Sequence, residues 1–112
     1  MADVDENQSQ RASFGTILPR AIDLMAQYFG AIAHPMRLRI AMHLSQRDLT
    51  VMQLVEALAL SEPVVSRHVA LLRQVGVLTR HRDGKRVLNR LTDDTIMHVC
   101  EIAARLELER QQ

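Results

Sequence analysis

At 112 residues the chain is sized for one domain with a modest core, and with 47% apolar but only 3% aromatic residues that core must be aliphatic, which suits packed helices. No apolar run approaches the roughly 18 residues of a membrane helix, the polar, acidic start "MADVDENQSQRAS" is no secretory signal, and a single cysteine excludes an internal disulfide and fits a reducing cytoplasm. The net charge of +1 hides a segregation: residues 61–90 hold seven of the 14 Lys/Arg but two of the 13 Asp/Glu, a net of +5 against −4 elsewhere, which suits a polyanionic partner or, more plainly, a solvated charged face.

Residues 1–15 read as a frayed tail, 16–108 as the folded domain and 109–112 as a short C-terminal tail. The first helix is expected over Thr16–Ile32, starting near Ser13 to Leu18 because Pro19 is tolerable only in a first turn. Its apolar residues, from Ile17 and Leu18 through Leu24, Met25 and Phe29 to Ile32, cover more than one stripe. A surface helix of a monomer needs one apolar face, so the surplus calls for a second burial partner, most simply another subunit. "AHPMRLRIAMHL" restarts a helix at Pro35, with Leu38, Ala41, Met42 and Ser45 as its expected inward stripe. After the polar break "SQRDLT", Thr50 and Gln53 have capping-box spacing for a short helix that buries Leu54, Val55 and Leu58.

Ser61 then serves as an N-cap, with Glu62 at the positive end of the dipole and Pro63 in the first turn, for a helix running to Val75 that Gly76 terminates. From there the period changes from 3.6 to 2. "VLTRHR" and "KRVLNRL" read as strands of a tight hairpin around Asp83-Gly84. Thr92 is the expected cap of the last helix, with Asp93 and Asp94 in its first turn and an end near Leu108. Ile96, Val99, Cys100, Ala103 and Leu106 make its main stripe, and Met97, Ile102 and Leu108 lie off it, again more apolar surface than one face needs. The fold class is mainly α with one hairpin, in the order α-α-α-α-β-β-α: a helix-turn-helix followed by a basic wing.

A major groove roughly 12 Å wide admits one such helix. In Ser61–Val75 the inward set is Val65, Val69 and Leu72, supplemented by Leu71. Glu62, Pro63, Ser66, Arg67, Ala70, Arg73 and Gln74 face outward. Ser66 and Arg67 sit in the half of the helix from which base edges are usually reached, and Glu62 can accept from a cytosine amino group or serve its own helix end. In the hairpin Arg80, Arg82, Lys85 and Arg86 are placed to meet phosphates or enter the minor groove. His68 can donate to a phosphate or pack against the wing.

Three pieces in order, "HPMRLRI", "LSEPVVSRHVALLRQVGVL" and "RDGKRVLNRL", make the chain resemble the ArsR (ArsR/SmtB) family of bacterial winged-helix transcriptional regulators from about residue 24 to residue 104. The resemblance implies a homodimer joined by its first and last helices, the two with surplus apolar surface. It implies a dimeric repressor that binds an inverted-repeat operator on double-stranded DNA and is released by a signal. It also places Ser61, Glu62, Ser66, Arg67 and His68 at or near DNA. Glu62 stands where the family often carries Gln, Ala59 where it often carries Gly, and His34-Pro35 where Asp-Pro is usual.

Many family members respond to a metal. The short helix "LTVMQLVEAL" has no cysteine for one common site type. For the other, Asp-x-His is expected early in the last helix, whereas Asp94 and His98 are four apart and no later histidine follows. Asp94, His98 and Glu101 do share a helical face at i, i+4 and i+7, which makes them the candidates for a possible divalent metal ion, although an acidic helix surface with one histidine is the commoner situation. Cys100 is the one redox candidate; its plain reading is a small core hydrophobe. Regulation by thiol oxidation or by a partner instead of a metal stays open, as does a winged helix used for protein contact. An enzyme is not expected, since no phosphate loop, nucleophile set or zinc spacing is present.

Overall fold

The computed structural model describes residues 19–112, so the expected tail and the expected helix start over residues 13–18 lie outside the described residues. Within that range the order is α1 (Pro19–Ile32), α2 (Pro35–Gln46), α3 (Val51–Leu58), α4 (Glu62–Gln74), β1 (Leu78–Asp83), β2 (Arg86–Leu91) and α5 (Thr95–Gln111). This is the winged helix-turn-helix that the patterning calls for.

Local chemistry explains most boundaries. The Thr50 hydroxyl accepts from the Gln53 backbone N–H while the Gln53 side chain accepts from the Thr50 N–H, closing the expected capping box of α3. Ala59 ends α3 in the left-handed region at φ 54°, a conformation that favours glycine. Ser61 holds the N-cap position of α4 in extended backbone, but its hydroxyl makes no capping bond. Gly76, at φ 86°, turns the chain out of α4 and into β1. The hairpin loop is Gly84-Lys85, one residue later than expected: Asp83 is still in β1, opposite Arg86, and Gly84 at φ 62° makes the turn. α5 also starts later than expected. Its N-cap is Asp94 rather than Thr92, with the Asp93 carboxylate accepting from the Thr95 N–H, and the helix continues past Leu108 to Gln111.

The core is aliphatic and sits between α2, α4, the hairpin root and the first turn of α5. Ile40, Leu54, Val65, Leu72, Leu78 and Ile96 are fully buried within it. All three expected inward residues of α4 are buried. In α3 only Leu54 is, with Val55 and Leu58 half-buried. In α2 the expected stripe is rotated: Ile40, Ala41 and Leu44 face inward, while Met42 and Ser45 are exposed. Pro35 and the His34 N-cap, whose Nδ1 accepts from the Met36 N–H, fix where that helix begins.

The wing is pinned at its root. The segment between α2 and α3 forms one antiparallel bridge with β2, through Leu49 and Asn89. Their backbones exchange both hydrogen bonds, and the buried Asn89 amide donates a third to the Leu49 carbonyl. One residue further out, the Arg90 guanidinium grips the Asp48 carboxylate through two nitrogens at 2.7 and 2.9 Å. That contact holds Asp48 below the usual carboxylate range and raises Arg90. One cation of the basic block is therefore spent on the fold.

Candidate nucleic-acid interface

α4 and the wing rise from this frame on the same side of the molecule. The first turn of α4 presents Ser61 and Glu62, both exposed, and Arg67 is exposed one turn further on. Between α4, the start of α3 and the wing runs a groove of about 390 Å³, lined by Thr50, the N-cap of α3, Met52 of α3, Ser66 and Arg73 of α4, and Arg80 and Val87 of the hairpin. Antiparallel register puts Arg80 and Arg82 on one hairpin face, across from Asn89 and Val87, whereas Arg86 pairs with Asp83 on the other face. Lys85 is at the tip. Among the described residues, Arg67, Arg73, Arg80, Arg82, Lys85 and Arg86 form no ion pair, so their charge is available to a polyanion.

His68 is directed toward the start of α2. Its Nδ1 accepts from the Arg37 Nε at 3.2 Å, and its ring lies 4.7 Å from that of His34, centroid to centroid. Burial pushes this imidazole below the usual histidine range, and His34, Arg37 and Arg67 push it the same way. Periodicity did not point to Thr50 and Met52 as groove residues, although the capping box already placed Thr50 at the exposed start of α3. Nor did it point to Asn89, whose lone polar amide within "RVLNRL" was the available signal.

The candidate metal ligands are on one face of α5 but do not converge. His98 Nε2 is 3.0 Å from an Asp94 carboxylate oxygen, and Nδ1, on the other side of the ring, is 3.9 Å from Glu101. A shared ion needs its donors to meet at one point about 2.0–2.2 Å from each. The imidazole stands between the two carboxylates, so this set does not fit a metal, and no group of three potential ligands gathers elsewhere among the described residues. Cys100 is a free thiol, half-buried against the core beside Met97.

The family model for "Bacterial regulatory protein, arsR family" matches residues 34–80. The HTH-type transcriptional regulator Rv0081 of Mycobacterium tuberculosis is 30% identical over 84 residues, which cover 74% of each chain. The chain belongs to the ArsR family. The crystal structure of Rv0081 superposes with a TM-score of 0.72 at 29% identity, covering 86% of this chain and 100% of that one. The HTH-type transcriptional repressor SmtB of M. tuberculosis is 38% identical over 82 residues, 72% of this chain. The arsenical resistance operon repressor of Escherichia coli is 43% identical over 70 residues, 62% of this chain. The chain spans 61% and 60% of the length of these two repressors. These ArsR-family relatives are transcriptional regulators, not enzymes.

Proposed function

We propose that the protein is a dimeric, sequence-specific DNA-binding repressor of the cytoplasm that reads an inverted-repeat operator. The observation that carries this reading is the shared groove. Ser66, Arg73 and Arg80 line it from two elements, and unpaired Arg67, Arg82 and Lys85 flank it. In this reading α4 enters the major groove, Ser66 and Arg67 meet base edges, Ser61 and Glu62 approach DNA at the helix start, and the wing cations hold the phosphate backbone. The hydroxyl that Ser61 leaves out of its cap is free to donate to a phosphate. Two protomers place their α4 helices in successive major grooves, roughly 34 Å apart. Asp94, His98 and Glu101 do not converge on one point as they stand, so their geometry adds no support for release through a metal.

Sequencing of genomic fragments retained by the purified protein tests the proposal. The expected result is an inverted repeat with half-sites about one helical turn, or a multiple of it, apart. Failure to retain any duplex from its own genome at low salt overturns it. Repeating the selection with metals and oxidants identifies the releasing signal.

A further inference from the structure

We infer that His34, Arg37 and His68 form a proton-sensitive latch that docks α4 against the start of α2. The latch is defined by two imidazole nitrogens that both act as acceptors. His34 Nδ1 accepts from the Met36 N–H and thereby caps α2, and His68 Nδ1 accepts from Arg37 Nε and thereby ties α4 to α2. Arg37 is itself held by the Ala31 carbonyl of α1, to which its Nη1 donates at 2.9 Å. Three helices thus meet at one half-buried guanidinium and two rings 4.7 Å apart.

An imidazole can accept at Nδ1 only while that nitrogen carries no proton. The bond from Arg37 therefore needs a neutral His68 ring with its proton on Nε2. A proton taken up at His68 Nδ1 removes the bond from Arg37 and sets N–H against N–H there. The groups facing His68 are His34 from the turn before α2, Arg37 from α2 and Arg67 from α4 itself, with no carboxylate among them to welcome a new charge. The depressed pKa of His68 agrees with that geometry. Because the folded state binds a proton less readily than the unfolded chain, this site's stabilisation is complete above the ordinary histidine pKa of about 6.5. It is lost as pH falls from there through the folded-state value.

The test compares the wild type with His34→Asn/His68→Asn, whose amide oxygens sit near the Nδ1 positions and do not titrate. Between pH 7.5 and 5.5 the wild-type Tm is expected to fall by about 4–8 °C more than that of the double variant, the response of a domain this size to losing interactions of this kind. His43, His81 and His98 are present in both proteins and cancel. Parallel Tm curves overturn the proposal. Should the double variant fail to fold, nitrogen-15 correlation spectra of the wild-type imidazoles at pH 7.5 decide the matter: the Nε2–H tautomer at both rings supports the latch, and Nδ1–H at either overturns it. Neither measurement needs DNA, so the latch stands or falls apart from the reading of α4 as a DNA-contacting helix.

Discussion

Arg67 and His68 are adjacent in the chain and have opposite surroundings. One step along a helix is a rotation of about 100°, enough to carry His68 from the outward face to the flank that meets α2. The spacing contains this result: His68 lies three residues after Val65 and four before Leu72, both fully buried. Arg67 has no such inward neighbour and stays exposed. In the proposed reading, Arg67→Ala is expected to weaken operator binding by about 1–3 kcal/mol and to relax preference at one base position. Unchanged anisotropy titrations against matched and mismatched duplexes remove Arg67 from base recognition. Ala59 poses a separate question, because a non-glycine residue in the left-handed region stores strain. Ala59→Gly is expected to raise unfolding stability by about 0.5–1 kcal/mol, the relief of that strain less the greater entropy of an unfolded glycine. A lower denaturation midpoint for this variant contradicts that balance.

At the scale of elements, the wing is a lever whose root and tip do different work. The root is a bridge between Leu49 and Asn89 and an ion pair between Asp48 and Arg90, and both join residues some forty positions apart. Pairing of that range leaves no periodic trace, which is why the sequence shows a hairpin but not what anchors it. Asn89→Ala removes a buried amide donor while the backbone rungs persist, with an expected loss of about 1–2 kcal/mol in chemical denaturation. An unchanged midpoint would mean that the backbone bridge alone sets the root. The tip carries cations that form no ion pair among the described residues. Replacing Arg82 and Lys85 by Gln is expected to reduce the slope of log affinity against log salt by about 0.9 for each phosphate no longer neutralised. An identical slope takes the tip off the backbone. Helix order, the capping box, the inward face of α4 and the glycine turns were all legible, because each is set by residues within a few positions of one another. The roll of α2 and the late start of α5 were not, because tertiary neighbours choose among faces that local spacing leaves nearly equivalent.

The described part of the molecule is extended for a chain of its length. Its radius of gyration is 17.4 Å, against roughly 13 Å for a compact chain of about 100 residues. The excess comes from helices that leave the body: every residue from 101 onward is exposed, and most of α1 is too. Eight of the twelve exposed large hydrophobics among the described residues lie on these two helices: Ile22, Leu24, Met25 and Phe29 on α1, and Val99, Ile102, Leu106 and Leu108 on α5. Of the expected α5 stripe, only Ile96 is fully buried by its own chain. In the proposed dimer a two-fold partner would cover this surface with its own copy, so each side chain counts twice. Ile102→Ala, removing apolar contact worth about 1–2 kcal/mol per protomer, should cost about 2–4 kcal/mol per dimer. That is a rise of roughly 30- to 700-fold in the dimer dissociation constant by sedimentation. The helical circular dichroism of the body should be unchanged, since Ile102 is exposed and stands outside the core. The same substitution then separates assembly from recognition. A monomer meets one half-site, so its affinity for a full inverted repeat should collapse toward its affinity for a half-site, while the wild type keeps the two far apart. Equal discrimination by both proteins would place the interface elsewhere than on α5.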